Sequence, residues 1–175
     1  MEPVSRRVVL TGSESTGKTT LAVRLARHYG TSWVPEFARA YAELKGGPLT
    51  VADVEPIARG QLAAEERALA RGPGLVVLDT DIVSTVVYAE HYYGACPAWV
   101  REAALERQGD LYLLLAPDLP WTADPVRDRP RQREEMHALF RRALENVGAR
   151  FVEIAGAGDA RFRAAVEAVE RLQRR

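Results

Sequence analysis

A chain of 175 residues suits one folded domain, large enough for a proper core and too short for a second domain of ordinary size. Acidic and basic residues balance at 24 each, so no net field recruits nucleic acid or an anionic membrane surface. Cys96 is the only cysteine, which excludes an internal disulfide and an all-cysteine metal site; with no apolar signal core and no run near the ~20 apolar residues that cross a bilayer, a cytoplasmic protein without a membrane partner is expected.

The segment Arg7-Val8-Val9-Leu10-Thr11 is short, apolar and β-branched, and reads as a strand. It runs into Gly12-Ser13-Glu14-Ser15-Thr16-Gly17-Lys18-Thr19, which fits the pattern G-x-x-x-x-G-K-[ST]. Lys18 to Tyr29 then places Leu21, Ala22, Leu25 and Ala26 on one helical face, so the pattern sits in the strand-loop-helix context it requires. Gly12 and Gly17 let the backbone curl until successive N–H groups converge, and the helix N-terminus adds partial positive charge. Phosphate is the natural occupant. Lys18 would meet its outer oxygens as a point charge and the Thr19 hydroxyl would complete a magnesium shell. Lys18 is one of two lysines in the chain and is expected to stand exposed, its charge mattering when phosphate arrives. The bland alternative is a glycine-rich turn that caps a helix.

Thr31 to Val34 reads as a brief second strand, and Pro35 to Glu43 resumes helical spacing until Gly46-Gly47-Pro48 stops it. Glu36 and Arg39 thus follow a strand end, where ligands gather in parallel sheets, and would face the same crevice as the phosphate loop. Solvated charges on the first turns of a helix are the alternative. Thr50 is a plausible N-cap for a long helix from Val51 to Arg71, whose Ile57 and Gln61 fall on the amphipathic pattern of a scaffold. Leu75 to Leu78 is continuously apolar, as in a strand covered on both faces, and ends in Asp79-Thr80-Asp81. A carboxylate there would hold magnesium or a reacting hydroxyl, although Asp81 could equally N-cap the next helix, Ile82 to Tyr93. The two aspartates flank Thr80 and are expected to point different ways, dividing metal holding and substrate holding between Asp79 and Asp81.

Tyr88, His91, Tyr92 and Tyr93 on that helix offer rings for a flat ligand or for the edge of the core. A helix from Pro97 to Arg107 and a buried strand from Asp110 to Ala116 follow. The stretch 118–133 then has three prolines and four arginines with no regular pattern, and is expected to be a lid whose arginines neutralise phosphate; a solvated charged loop is the alternative. Helices over Glu134 to Asn146 and Asp159 to Arg175 bracket a last strand, Arg150 to Ile154. The alternation predicts a single α/β domain, 1–175, with a five-stranded parallel sheet flanked by helices on both faces.

In this order the blocks resemble the ribosylnicotinamide kinase domain of the NadR family, itself similar to the P-loop nucleoside and nucleotide kinases. The likeness rests on Gly12 to Leu21, on Glu36-Phe37-Ala38-Arg39-Ala40-Tyr41, on Leu78-Asp79-Thr80-Asp81, and on Pro120-Trp121-Thr122-Ala123-Asp124 with Arg127. It implies a P-loop NTPase fold, ATP and Mg2+ at Gly17, Lys18, Thr19 and Thr20, a nucleoside crevice near Glu36, Arg39 and Asp81, and Arg127 in the lid. The implied activity is phosphorylation of the 5′-hydroxyl of a small nucleoside, nicotinamide riboside leading. Thr19 and Asp79 would hold the metal, Glu36 or Asp81 would accept the hydroxyl proton, and Tyr92, Trp121 and Asp124 are further candidate substrate contacts.

Two departures stand out. Family members tend to carry a tryptophan before the glutamate, where this chain has Pro35, so base stacking is expected from Trp121, Tyr92 or Tyr93. Bifunctional relatives add an adenylyltransferase domain, for which 175 residues are expected to leave no room, so another protein is expected to complete the dinucleotide. A small nucleoside is the expected partner, nucleic acid is not, and a homo-oligomer is left open. The rival from another class is a regulatory module that binds and slowly hydrolyses ATP; without an Asn-Lys-x-Asp motif, a GTPase switch is less attractive.

Overall fold

A computed structural model describes residues 5–120 and 132–174. The central strand, β1 (Arg6–Thr11), pairs in parallel with β3 (Leu75–Asp79) on one side and β4 (Leu111–Leu115) on the other. β2 (Trp33–Val34) and β5 (Phe151–Ile154) form the edges, giving the order β2-β3-β1-β4-β5. Every pair is parallel, so each connection needs a crossover helix, and helices cover both faces. The five-stranded parallel expectation is borne out.

The period of two along each strand sorts the core into two halves. Val8 and Leu10 of β1, with Val77, Leu111 and Leu113, face α1 (Lys18–Tyr29) and α7 (Gly158–Gln173). Val9, with Val76, Leu78, Tyr112 and Leu114, faces the opposite layer. That layer holds α3 (Val54–Leu69), α4 (Ile82–Tyr93), α5 (Ala98–Glu106) and α6 (Arg133–Asn146). Continuous apolar runs are what two covered faces demand. Cys96 is buried among the apolar residues of this second half, as a small hydrophobe.

The helix expected from Val51 opens differently. A 3-10 turn, Val51–Asp53, precedes α3 because Asp53 is committed to the turn: its Oδ2 accepts from the Thr50 backbone N–H at 2.7 Å and the Thr50 hydroxyl at 3.1 Å. The same oxygen accepts from Lys45 Nζ at 2.5 Å, and Tyr41 donates to Oδ1 at 2.9 Å. Lys45 and the Thr50 N–H hold the Asp53 carboxyl well below the usual carboxylate range. This knot fixes the loop after α2 (Phe37–Lys45). At Gly60, inside α3, a Cβ would lie 2.1 Å from the Phe37 ring, so only glycine lets α2 press this closely on α3. No helix among the described residues is long and apolar enough to cross a membrane.

Candidate functional site

The phosphate loop turns between β1 and α1 at the carboxyl edge of the sheet. Gly12 has φ 133°, and a Cβ there would meet the Leu115 carbonyl oxygen at 2.9 Å, so β4 presses the loop where no side chain fits. Thr16 donates its hydroxyl to the Ser13 carbonyl at 2.9 Å, tying the loop across itself. Ser15 also has positive φ, 52°, a left-handed turn that costs a non-glycine residue energy and is held by the surrounding contacts. Lys18 corrects an expectation. It is 5% exposed, with Nζ donating to the Gly12 and Ser13 carbonyls at 3.0 and 2.7 Å, because a cation at this position finds the loop's own carbonyls within reach. Thr19 and Thr20 lie on the first turn of α1, both exposed, and the Thr19 hydroxyl reaches Asp79 of β3.

The two aspartates diverge as expected, but not by spacing, since residues two apart on a strand share a face; β3 ends at Asp79 and the turn at Thr80 separates them. Thr80 between them has φ 66°, and its N–H donates to the Leu10 carbonyl at 3.0 Å, anchoring the strained turn to β1. Asp79, at the tip of β3, accepts from the Thr19 hydroxyl at 2.5 Å. A hydroxyl beside a carboxylate, with no cluster of three or more His, Cys, Asp or Glu among the described residues, is a hard-oxygen donor pair that fits Mg2+, which keeps waters and phosphate oxygens as its other ligands.

Asp81 turns inward. Its Oδ1 accepts from the Val83 N–H at 3.1 Å as the N-cap of α4, and its Oδ2 accepts from the Tyr112 hydroxyl at 2.5 Å. It is 2% exposed, and burial pushes its pKa up to about 6 against the pull of those hydrogen bonds. Behind it Glu65 is buried too, pushed up to about 8 by desolvation and by the Asp81 charge. Glu36 and Arg39 line the neighbouring cavity and Asp81 does not, although Thr80 and Ser84 on either side of it do.

That cavity, about 690 Å³, opens beside the phosphate loop between α2, α3 and α4. Glu14 reaches it from the loop, Glu36 and Arg39 from the start of α2, and Tyr88, Tyr92 and Tyr93 from α4. Tyr88 and Tyr92 are parallel, 5.9 Å apart at 4°, and the Tyr92 hydroxyl donates to Glu14 Oε1 at 3.3 Å. Pro35 is exposed and outside the walls, so the aromatic surface comes from α4. Trp121, Asp124, Arg127 and most of the expected lid lie outside the described residues.

Sequence reasoning passed over Gln61. It is 3% exposed and lines the cavity, accepting the Phe37 N–H at 3.0 Å and donating to Glu65 at 3.2 Å, with the Thr80 carbonyl 3.5 Å away. Its amide ties the start of α2 to α3, and a glutamine on an apolar stripe was the available signal. Arg161 was missed as well, since an arginine on a terminal helix resembles any other.

A parallel sheet with a phosphate loop after its central strand and a deep cavity alongside defines an ATP-binding P-loop protein of the kinase-like fold. Residues 7–161 match the family described as AAA domain, and the chain belongs to that family. The trifunctional NAD biosynthesis/regulator protein NadR of Escherichia coli strain K12 is 30% identical over 174 aligned residues, covering 95% of this chain and 42% of that protein. The NadR of Salmonella typhimurium strain LT2 is also 30% identical, with the same coverage. The chain thus spans less than half the length of these curated relatives. A crystal structure of NadR protein in complex with NR superposes with a TM-score of 0.84 and 31% identity, covering 97% of this chain and 52% of that one. Another, with NAD and AMP-PNP, gives 0.81 and 30%, covering 97% and 50%. Thymidylate kinase from Ehrlichia chaffeensis shares the fold alone, with a TM-score of 0.65 at 15% identity over 97% of this chain and all of that one. The resemblance drawn from the four sequence blocks is borne out along nearly the whole chain.

Proposed function

We propose that the chain is an ATP-dependent phosphotransferase that moves the γ-phosphoryl group of ATP to the 5′-hydroxyl of a small nucleoside, nicotinamide riboside first among the acceptors. The observation that carries this reading is the cavity: it is large enough to admit a nucleoside, bears two carboxylates and a tyrosine wall, and shares Glu14 with the phosphate loop. The likeness to NadR structures with NR and with AMP-PNP supports both ligands.

The chemistry is mostly positioning. Loop N–H groups and the start of α1 hold the phosphates, and Lys18 exchanges its contacts with the Gly12 and Ser13 carbonyls for phosphate oxygens. Glu36 takes the proton of the acceptor hydroxyl as its oxygen bonds to the γ-phosphorus and the bond to ADP breaks. Glu36 is preferred to Asp81 because it faces the cavity, whereas both oxygens of Asp81 serve the α4 N-terminus and Tyr112. Thr19 and Asp79 would hold Mg2+, which supplies charge neutralisation on the phosphates. Arg39 and Tyr92 would orient the acceptor, and Arg127, with Trp121 and Asp124, would act from the segment after β4.

A thermal-shift panel of nucleosides with and without AMP-PNP tests the reading, followed by mass analysis of the product formed with ATP. A kinase shows an acceptor whose shift grows with AMP-PNP and a product heavier by one phosphate. Stabilisation by the nucleotide alone, with slow ATP loss and no phosphorylated acceptor, would replace it with the regulatory ATPase.

A further inference from the structure

Arg161 of α7 is 4% exposed, the one arginine buried to this degree among the described residues. A guanidinium stays charged and its desolvation is costly, so it persists in such a place only when its donors are met. Here they converge on three loops at the carboxyl edge of the sheet. Nη1 donates to the Thr16 carbonyl of the phosphate loop at 2.6 Å, and Nε to the Gly156 carbonyl after β5 at 2.6 Å. Nη2 donates to the Ala116 carbonyl after β4 at 3.1 Å and to Asp118 Oδ1, whose other oxygen accepts from the Gly156 N–H at 2.6 Å. A second arginine repeats the pattern one residue along: Arg133 donates from Nη2 to the Ser15 carbonyl at 3.2 Å and from Nη1 to the Leu119 carbonyl at 2.8 Å.

Two consecutive phosphate-loop carbonyls, Ser15 and Thr16, are thereby gripped from outside by two arginines that also grip consecutive residues of the chain leaving β4. A trans peptide points its C=O and the following N–H in opposite directions. A donor on the Ser15 carbonyl therefore aims the Thr16 N–H away from the arginine, and a donor on the Thr16 carbonyl does the same for the Gly17 N–H. Each such bond also polarises the peptide and makes that N–H a better anion donor.

We propose that Arg161, with Arg133, is a positioning residue of the nucleotide site: the two guanidinium groups hold the Ser15 and Thr16 carbonyls outward, aim the Thr16 and Gly17 N–H groups at the phosphates, and brace the loop against the start of the segment after β4. Neither arginine needs to touch the nucleotide. The inference rests on the reading of the loop as an ATP site and is independent of the acceptor.

The test is AMP-PNP affinity by calorimetry, well below each variant's melting temperature. Arg161→Met is expected to weaken AMP-PNP by about tenfold, as a sub-ångström misplacement of the loop would. Arg161→Lys keeps the charge but cannot span the same carbonyls, and is expected between wild type and Arg161→Met. Arg133→Met is expected to shift affinity in the same direction and carries the test should Arg161→Met fail to fold. Leu172→Ala, in the same helix and 2% exposed, controls for lost stability: it should lower the melting temperature and leave AMP-PNP affinity unchanged. Unchanged affinity in Arg161→Lys and Arg133→Met, or an equal loss in Leu172→Ala, would overturn the proposal. A wild-type chain that does not bind AMP-PNP would overturn the ATP reading with it.

Discussion

The phosphate loop and the acceptor cavity meet at Glu14, yet they are assembled in opposite ways. The loop is built from consecutive residues, Gly12 to Lys18, and most of its internal bonds span no more than six positions. The cavity collects Glu14 from the phosphate loop, Thr80 from the turn after β3, Glu36 from the start of α2, Ile57 and Gln61 from α3, and Tyr92 from α4, far apart in the chain. On the proposed reading, the local device carries chemistry that many acceptors can share, since any phosphate fits converging N–H groups. On the same reading the cavity assembled by packing would carry the discrimination, and its shape depends on contacts such as that of Asp53 with Lys45, which lie outside its walls.

The contrast should break first at Lys18. Lys18→Ala is expected to cut turnover about a thousandfold and to lower the melting temperature modestly, because the Gly12 and Ser13 carbonyls it satisfies belong to buried residues of the loop. Steady-state kinetics and thermal melts check both halves of that statement, and near wild-type turnover would remove the phosphate role. The carboxylates come next. Glu36→Gln should cost about a hundredfold in kcat as a lost general base. Asp81→Asn should instead lower stability by about 1 kcal/mol, through its hydrogen bonds to Val83 and Tyr112, with kcat nearly kept. The reverse pattern would return the base role to Asp81.

Glu65 offers a measurement on the packing side alone. Its pKa, raised from 4.5 to about 8, means the folded state binds more protons than the unfolded state between those values, so stability declines as pH rises through that window. The groups that face it are Gln61 and Asp81, with Arg7 and Arg107 opposing the shift. Glu65→Gln is expected to flatten the decline, and to exceed wild type at pH 9 by a difference on the order of 3 kcal/mol relative to pH 5. Denaturant unfolding at the two pH values reads the difference, and parallel curves would show that Glu65 is ionised in the fold. The smallest effect concerns the aromatic wall. Tyr92→Ala should weaken nicotinamide riboside by at most about tenfold, and Pro35→Trp should leave it almost unchanged because position 35 lies outside the cavity walls. A competition assay in which Pro35→Trp tightens binding strongly would place the base elsewhere.

Much of this protein was legible in one dimension. The loop pattern needs only a strand before it and a helix after it, and the apolar runs 75–78 and 111–115 declare strands covered on both faces, so the parallel sheet follows from local signals and the rule that parallel neighbours need crossovers. The divergence of Asp79 and Asp81 was expected from the sequence but is the work of Thr80, whose left-handed φ ends the strand, since positions two apart on a continuous strand share a face. Tertiary structure decided the rest. Whether Asp81 faces substrate or Tyr112 depends on which residue of β4 lies opposite it, and no spacing within 79–81 contains that information. Lys18 is buried because loop carbonyls curl back within reach of its ammonium. Gln61 and Arg161 read as a scaffold position and an ordinary helix charge until packing surrounds them with backbone groups that need partners; burial turns an unremarkable polar side chain into an indispensable one, because buried carbonyls and N–H groups cannot turn to water instead.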